Sequence, residues 1–438
     1  MTHYELALGV FFLLMALIVI RMPIAIAMFL AGAFGFSQIA GWDAVLNLMS
    51  EAPYSRVSNY ELSVIPLFLL MGQLATRGGL SQQLYRSARA WLGHYRGGIA
   101  IATIGGCAAF GAICGSSIAT GATMATVALP EMRRYGYSGS LATGALAAGG
   151  TLGILIPPSI VLVIFSILTE QSLGNLFLAA IIPGIIATLG YAAAIAIYVR
   201  ARPQAAPPAE ALAMAERIAS LWAILPVAVI FTVVVGGIYL GVFTPTEGAA
   251  VGAATTGLLA AALGGLDFRG VRLALFDTAK LTGMIFIILV GAEFYSAFLA
   301  LSQTPQALAR WIGESGFAPL TVLVAIVIVY LLLGCVMDGL PMILITVPVF
   351  YPIVIGLDFG MGLDALAMWF GILVLIAVEV GLITPPIGIN VYVINSMARD
   401  VRITESFKGI VPFFLSDLAR IALIIAFPAT CTFLPGVK

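Results

Sequence analysis

Long apolar stretches separated by short polar segments run along almost the whole chain of 438 residues. A helix of about 20 apolar residues crosses the hydrocarbon core of a bilayer, and ten stretches are long enough to do so. They predict spanning helices at residues 4–20, 24–40, 61–76, 138–168, 174–199, 221–240, 246–264, 281–302, 366–397 and 409–435. The pattern therefore predicts an all-α integral membrane protein with about ten spanning helices.

Two further apolar blocks, residues 98–130 and 318–355, are each interrupted at the centre by polar residues. The interruptions read Cys114-Gly115-Ser116-Ser117 and Met337-Asp338-Gly339. Irregular backbone at membrane depth is tolerated only where protein covers it or where it lines a water-filled cavity. Each block is either two full spans or one re-entrant hairpin, and the polar interruptions favour hairpins.

Composition and charge placement agree with this topology. Only 9% of the residues are charged and 61% are hydrophobic, unlike a soluble or nucleic-acid-binding protein. Twenty Lys and Arg balance twenty Asp and Glu, but sixteen of the basic residues fall in alternate connections between the predicted spans. Because Lys and Arg collect on the cytoplasmic side of membranes, we expect these connections inside and both termini in the periplasm. This partition requires each interrupted block to return to its starting side.

The two halves of the chain carry matching sequence features. Gly153 through Pro158 matches Gly381 through Pro386, and both segments end in Pro-Pro. The two interruptions, at Ser116 and Asp338, are separated by nearly the same length of chain as these two segments. Since the first interrupted block starts inside and the second outside, the halves are predicted to be inverted repeats.

The repeat predicts the domain organisation. Residues 1–60 and 221–280 form scaffold helices, and residues 200–220 form a Pro- and Ala-rich cytoplasmic linker. Residues 61–199 form the first repeat, with an amphipathic surface helix, the hairpin 98–130 and a broken helix 138–168. Residues 281–435 form the second, with a surface helix, the hairpin 318–355 and a broken helix 366–397.

The Pro-Pro segments predict where the chemistry lies. Adjacent prolines unwind a helix, which frees carbonyl oxygens that can coordinate Na⁺ and amide groups that can hold a carboxylate. Paired interrupted segments in two halves are typical of the central site of a secondary transporter. The candidate substrate-binding residues are Ser116, Ser117, Thr120, Pro158, Ser159, Pro386 and Asn390. The candidate Na⁺ ligands are Gly115, Ser116, Thr151, Gly153, Asp338, Gly339, Glu379, Gly381 and Thr384.

Simpler interpretations stand beside this one. Pro-Pro can kink a helix for packing alone, and Ser117 and Thr120 also suit close helix packing. Among the other acids inside predicted spans, Glu293 could make a structural hydrogen bond, and Asp417 is expected to pair with Arg420 three residues on. An intramembrane enzyme needs a metal-binding His set or a nucleophile with its base, and neither is evident, so no enzymatic activity is expected. A channel and a stand-alone Na⁺/carboxylate symporter are further alternatives.

Three strings carry a resemblance to a known family: GAICGSSIATGATMATVALPEMRRYGY, GGTLGILIPPSIVLVIFSILTEQSLGNLFLAAIIPGI and EVGLITPPIGINVYVI. They resemble the large membrane subunit of tripartite ATP-independent periplasmic (TRAP) transporters. The resemblance implies an elevator-type transporter of the bacterial inner membrane that imports an organic acid, such as a C4-dicarboxylate or sialic acid, with co-transported Na⁺.

The resemblance also implies partners and site residues. A periplasmic binding protein would deliver the substrate, and a small four-helix membrane subunit, expected as a separate chain, would join the large one. The family's first ion region matches Gly115, Ser116 and Ser117 with the break at 151–159. Its second matches Asp338 and Gly339 with the break at 381–390.

Overall fold

The computed structural model describes residues 3–436, and within that range all regular secondary structure is helical. The helices of the first half are α1 (His3–Val19), α2 (Ile24–Ala40), α3 (Trp42–Val57), α4 (Val64–Arg77), α5 (Leu80–Leu92), α6 (Gly98–Cys114), α7 (Ser117–Arg134), α8 (Gly139–Leu155), α9 (Ile160–Thr169) and α10 (Leu173–Ala201). A 3₁₀ turn at Glu61–Ser63 leads into α4.

The second half follows another 3₁₀ turn, Pro203–Ala205. Its helices are α11 (Met214–Leu221), α12 (Leu225–Phe231), α13 (Gly237–Tyr239), α14 (Pro245–Ala262), α15 (Phe268–Ser302), α16 (Thr304–Glu314), α17 (Pro319–Gly334), α18 (Gly339–Ile355), α19 (Leu363–Ile383), α20 (Ile389–Met397), α21 (Ile403–Ala426) and α22 (Ala429–Thr432). A π-helical segment, Thr232–Gly236, joins α12 to α13.

The predicted all-helical fold is confirmed for the described residues. Five helical segments of the described chain are long and apolar enough to span a membrane, or up to seven if each of two bent helix pairs is one span. One bent pair is α8 with α9, at 41°. Two other predicted spans, at residues 4–20 and 24–40, are apolar helices of 10–17 residues, as are three of the four hairpin helices. The number of ten crossings remains a prediction.

Both predicted hairpins and both predicted breaks are present as interruptions between helices. The first hairpin is α6–α7 and the second is α17–α18, and non-helical segments separate α8 from α9 and α19 from α20. Ser116 caps α7 and Asp338 caps α18, so each hairpin turns at the polar residues that the sequence indicates. The order of hairpin, broken helix and long final helix occurs twice, ending in α10 and α21.

Helix α19 occupies the centre of the molecule. Its apolar window is 100% buried, whereas the corresponding windows of α10 and α15 are 33% and 44% buried. Burial on all sides explains its near-continuous run of apolar residues, because a helix with one face in a polar environment carries polar residues on that face.

The structure differs from the sequence expectations at two helices, α15 and α3. The helix predicted at 281–302 begins earlier, at Phe268, because Asp267 caps it by accepting a hydrogen bond from Gly270 N at 2.6 Å. The domain boundary predicted at 280/281 therefore falls inside α15. The apolar pattern does not predict helix α3, which mixes polar and apolar residues; its Arg56 forms an ion pair with Glu293 of α15. This ion pair gives Glu293 a structural partner, in line with the structural alternative to a functional role.

Candidate functional site

The tips of the two hairpins meet at one cavity of about 260 Å³. Gly115, Ser116 and Ser117 line it from the first tip, and Asp338 and Gly339 line it from the second. The remaining wall comes mainly from α4 and α15, through Leu69, Gly72, Gln73, Leu281, Met284 and Ile285. Since this part of the wall lies near the middle of the 35-residue helix α15, both tips reach a similar depth beside that helix. This arrangement agrees with re-entrant hairpins.

The first tip presents a helix N-terminus to the cavity. Gly115 ends α6 with φ +65°, a left-handed conformation that residues with a Cβ rarely adopt. The Ser116 side chain then accepts a hydrogen bond from Ala119 N at 3.4 Å and caps α7. The backbone amides at the start of α7 therefore lie beside the cavity, where they favour negative charge.

The second tip presents another helix N-terminus to the same space. Asp338 Oδ1 accepts a hydrogen bond from Gly339 N at 2.7 Å and caps α18. Gly339 lies close to α19, because an added Cβ would be 2.7 Å from Val378 Cγ1. Asp338 is a charged residue of the cavity lining, in which the described residues include no Lys or Arg. Two helix dipoles and one carboxylate thus dominate the electrostatics of the cavity.

Oxygen atoms gather where the first break meets the first tip. A Cβ added at Gly153 would lie 2.7 Å from the Ser116 carbonyl oxygen and would also contact Thr120 Oγ1. The Pro158 carbonyl oxygen approaches Gly115 in the same region. Hydroxyl and carbonyl oxygens are hard ligands, so this set fits a small hard cation such as Na⁺.

The hydroxyl of Thr120 lacks a conventional hydrogen-bond partner among the described residues. Thr120 is fully buried, and its Oγ1 has no hydrogen-bond partner within normal geometry among the described residues. The Cys114 thiol lies near enough to interact with it, but a thiol is only a weak hydrogen-bond partner. The Thr120 oxygen therefore keeps lone pairs available for a ligand.

The second break meets the second hairpin through an equivalent glycine contact. In the first repeat, a Cβ added at Gly111 would lie 2.9 Å from the Cα of Gly153. In the second repeat, a Cβ added at Gly334 would lie 2.8 Å from the Cα of Gly381. Close approach of two backbones requires residues without a side chain at these crossings. The contact places Gly381 beside the end of α17, near the second tip.

Several predicted residues lie away from the cavity lining. Thr384, the residue that follows α19, donates to Val380 O of that helix at 2.5 Å, and Pro386 is exposed at the surface of the chain. Ser159 is buried and caps α9 by accepting from Leu162 N at 3.4 Å. These three positions surround the breaks without reaching the cavity.

Asn390 connects the two repeats instead of lining the cavity. Its buried side-chain amide donates to Ser117 Oγ and, at 3.4 Å, to Ala147 O. The residue therefore links the second broken helix to the first hairpin and to α8. Of Asn390 and Ser117, only Ser117 lines the cavity.

Thr151 and Glu379 contact a buried polar cluster rather than the cavity. Thr151 Oγ1 donates to Ala148 O at 2.7 Å and lies 3.2 Å from Tyr191 Oη. Glu379 Oε2 accepts from Arg420 Nη2 at 3.3 Å, and Arg420 Nη2 also donates to Asp417 Oδ1 at 2.9 Å. The predicted pairing of Asp417 with Arg420 is confirmed. Glu379 is a third member of this cluster, so its carboxylate meets an arginine instead of facing the cavity.

Some residues of the site carry no motif that assigns them. Gln73 lines the cavity from α4, and the signal that could have found it is its position as a polar residue in an apolar helix. Gly72 lets α4 approach the first tip, since an added Cβ would be 2.9 Å from Cys114 O. The α15 residues carry no sequence signal, because apolar cavity walls resemble any other buried helix face.

Comparison with known proteins identifies the family. The family described as the DctM component of the tripartite ATP-independent periplasmic transporter matches residues 11–430. The C4-dicarboxylate TRAP transporter large permease protein DctM of Pseudomonas aeruginosa is 36% identical over 387 residues, 86% of this chain and 87% of that protein. The ectoine/5-hydroxyectoine TRAP transporter large permease protein UehC of Ruegeria pomeroyi is 33% identical over 442 residues, 98% of each chain.

A solved structure shares the fold. The YdaH transporter of Alcanivorax borkumensis, described as having an unusual topology, superposes with a TM-score of 0.60 at 15% identity, over 88% of each chain. This likeness shows a shared helical fold. The family model and the large-permease relatives show that the chain belongs to the DctM component family of tripartite ATP-independent periplasmic transporters, and is a multi-pass inner-membrane permease subunit rather than an enzyme.

Proposed function

We propose that the chain imports organic acids into the cytoplasm together with Na⁺, and that cation and solute bind where the two hairpin tips meet. A periplasmic binding protein delivers the solute, and a small four-helix membrane subunit, a separate chain, completes the transporter in the lipid bilayer. Both termini of the chain face the periplasm. Membership of a tripartite family argues against a stand-alone symporter.

The observation that carries the proposal is the electrostatic character of the cavity. The N-termini of α7 and α18 both border it, which suits an anionic solute. Asp338 borders it as well and repels an anion, and no Lys or Arg of the described lining offsets that charge. A bound Na⁺ removes this conflict, so solute binding depends on the cation.

The oxygen atoms of the first tip supply the better-defined cation site. Thr120 Oγ1 and the Ser116 and Pro158 carbonyl oxygens lie around Gly115 and Gly153. A buried hydroxyl without a good partner is costly, and coordination of Na⁺ satisfies it. The equivalent region at the second tip consists of Asp338 and the backbone of the second glycine crossing.

The face of α15 that meets the hairpins supports an elevator motion. Leu281 and Ile285 line the central cavity, and Leu289, Ala292 and Ser296 continue the same helical face along a second, smaller cavity. This second cavity also contacts α9 and α18. Apart from the Arg56–Glu293 ion pair, which also lines the second cavity, this stripe is largely apolar. Such a surface lets the hairpins and broken helices slide as one body against α4 and α15.

The two breaks differ in exposure, which agrees with one end state of such a motion. Pro157 and Pro158 are buried, whereas Pro385, Pro386 and Ile387 are exposed. Inverted repeats exchange environments when the transport unit moves from one side to the other. We therefore expect the first break to become the exposed one in the alternate state.

The substrate class follows from chemistry shared among relatives. The Pseudomonas and Ruegeria relatives are named for C4-dicarboxylates and for ectoine, and both kinds of solute carry a carboxylate. A cavity that recognises one carboxylate through helix N-termini serves either. Selection among small carboxylates is expected to reside mainly in the binding protein.

Uptake by proteoliposomes tests the proposal. The chain, its small membrane subunit and its binding protein are reconstituted, and uptake of radiolabelled succinate, ectoine and sialic acid is measured under an inward Na⁺ gradient. We expect at least one solute to accumulate with Na⁺ and not with an equal K⁺ gradient. Equal accumulation in both salts contradicts Na⁺ coupling.

A further inference from the structure

A continuous chain of buried polar groups joins the two repeats at the centre of the molecule. Thr151 Oγ1 lies 3.2 Å from Tyr191 Oη, and Tyr191 donates to Asp417 Oδ2 at 2.9 Å. Arg420 donates to Asp417 at 2.9 Å and to Glu379 at 3.3 Å. All five side chains are at most 3% exposed. We call these residues the central polar chain.

The central polar chain is itself built on the inverted repeat. Thr151 stands two positions before the first Gly-x-x-x-Pro-Pro segment and Glu379 two positions before the second, so they occupy equivalent positions on α8 and α19. Tyr191 and Arg420 likewise stand eight positions after matching prolines of α10 and α21. The final helix of each repeat thus contacts its own broken helix, and Asp417 bridges the two pairs.

Each end of the central polar chain lies beside one proposed ion region. Thr151 precedes Gly153 by two positions, and Gly153 contacts the Ser116 carbonyl and Thr120. At the other end, the glycine two positions after Glu379 forms the backbone crossing with α17 near the second tip. Two residues of an α-helix span about 3 Å, so a shift at either glycine reaches the central polar chain directly.

The side chain of Arg420 can form a second arrangement of hydrogen bonds. Arg420 Nη2 donates to both carboxylates, and its contact with Asp417 is the shorter one. Arg420 Nη1 and Glu379 Oε1 are buried without hydrogen-bond partners among the described residues. A small movement of α19 toward α21 would pair these free atoms. Buried polar networks of this kind strengthen or weaken as a unit, which provides the two-state element that coupling between sites requires.

We propose that the central polar chain couples the two ion regions, so that Na⁺ bound beside one broken helix raises the affinity of the region beside the other. Tyr191 and Arg420 are positioning residues in this role, because they act through Thr151 and Glu379. The proposal rests on the proposed function, since it requires Na⁺ at both tips. Coupling of this kind is reciprocal and appears as positive cooperativity in Na⁺ binding.

The experiment measures equilibrium binding of ²²Na⁺ to the purified chain in a K⁺ background. Tyr191→Phe removes only the hydroxyl that links Thr151 to Asp417. Tyr330→Phe is the matched control, because Tyr330 is also buried and bonded to a threonine hydroxyl, Thr346 at 2.9 Å, but both lie in the second hairpin. Melting temperatures in K⁺ compare the fold of the variants.

We expect a Hill coefficient above 1 for the wild type and for Tyr330→Phe, and a fall toward 1 for Tyr191→Phe with the same maximum of bound Na⁺. A Tyr191→Phe variant that keeps the wild-type Hill coefficient overturns the proposal, as does a wild type that binds Na⁺ without cooperativity. If Tyr191→Phe does not fold, Thr151→Val breaks the same link and is measured in its place. Absence of any saturable Na⁺ binding in the wild type contradicts the proposed function instead.

Discussion

Thr120 carries the most informative single atom of the site, a buried hydroxyl oxygen without a hydrogen-bond partner of normal geometry among the described residues. A threonine in a tightly packed hairpin has a simple packing role available, and sequence alone does not separate that role from ion binding. The contacts of Thr120 with Gly153 and its nearness to the Ser116 carbonyl favour an ion ligand.

Replacing Thr120 by Val keeps the shape and removes this oxygen. We expect the Na⁺ concentration for half-maximal uptake to rise about fivefold to tenfold, which corresponds to roughly 1–1.4 kcal/mol for one lost ligand. Thr126→Val is the control, because Thr126 is exposed on the same helix and donates to Thr123 O at 2.7 Å. An unchanged Na⁺ dependence in Thr120→Val shows that the hydroxyl only fills space.

Asp338 combines a helix cap with a charge, and substitution by asparagine separates the two. The variant Asp338→Asn keeps an oxygen to cap Gly339 N but loses the negative charge. We expect normal expression with about a tenfold higher Na⁺ requirement, roughly 1.4 kcal/mol. Asp358→Asn provides the control, since the exposed Asp358 also accepts from a nearby backbone amide, Gly360 N at 2.8 Å. If Asp338→Asn folds poorly while Asp358→Asn folds normally, and the folded fraction of Asp338→Asn keeps the wild-type Na⁺ dependence, Asp338 has a purely structural role.

At the scale of elements, the interruptions are the part of the fold that the sequence predicts best. The Gly-x-x-x-Pro-Pro segments and the polar hairpin tips carry strong local signals, because proline removes a backbone donor and glycine permits left-handed backbone. The predicted helix at 281–302 is shorter than α15, since the basic first turns of α15 lower the hydropathy without disfavouring a helix. Helix α3 has no long apolar run, and its pairing with Glu293 depends on tertiary contacts.

The site residues also divide into those that local sequence signals predict and those whose positions depend on tertiary contacts. The sequence places the residues of the tips together, and they do line one cavity, because the turn chemistry that positions them is local. Thr151 and Glu379 lie just before the breaks, and the direction of their side chains depends on α10 and α21, which the motifs do not describe. Aligning the two repeats residue by residue shows that Thr151 and Glu379 occupy equivalent positions. The motifs alone do not show this correspondence.

The glycine crossing of each repeat makes a prediction for stability. Gly381→Ala places a Cβ 2.6 Å from the Gly334 carbonyl carbon, so the backbones must separate, at a cost of about 1–3 kcal/mol. We expect a lower melting temperature in detergent and weaker uptake. Gly105→Ala is the control, because an added Cβ there meets nothing within 4 Å. Equal melting temperatures for the two variants contradict the close crossing.

At the scale of the whole molecule, the α15 stripe predicts how far the transport unit travels. In a background without the native cysteines, Leu340→Cys is paired with Ile285→Cys or with Ser296→Cys. These α15 positions lie on one helical face about 16 Å apart along the axis, and Leu340 and Ile285 line the same cavity in this structure. A short bifunctional thiol reagent should link Leu340→Cys to Ile285→Cys in one state and Leu340→Cys to Ser296→Cys in the other.

Both cross-links should also stop uptake, because each traps one end state. Incubation under conditions that favour turnover should raise the yield of the second link. A transporter that remains active while Leu340 and Ser296 never become linked contradicts a sliding motion along α15. Such a result leaves the ion regions unaffected, since they lie within the moving unit.

The central claim is that the two tips and the two breaks form one site in which Na⁺ is required. Equilibrium ²²Na⁺ binding by the purified wild-type chain and by the Thr120→Val/Asp338→Asn double variant tests it most directly. The account predicts saturable binding by the wild type that unlabelled Na⁺ displaces and K⁺ does not, and little binding by the double variant in a folded state. Wild-type levels of bound Na⁺ in the folded double variant would contradict it.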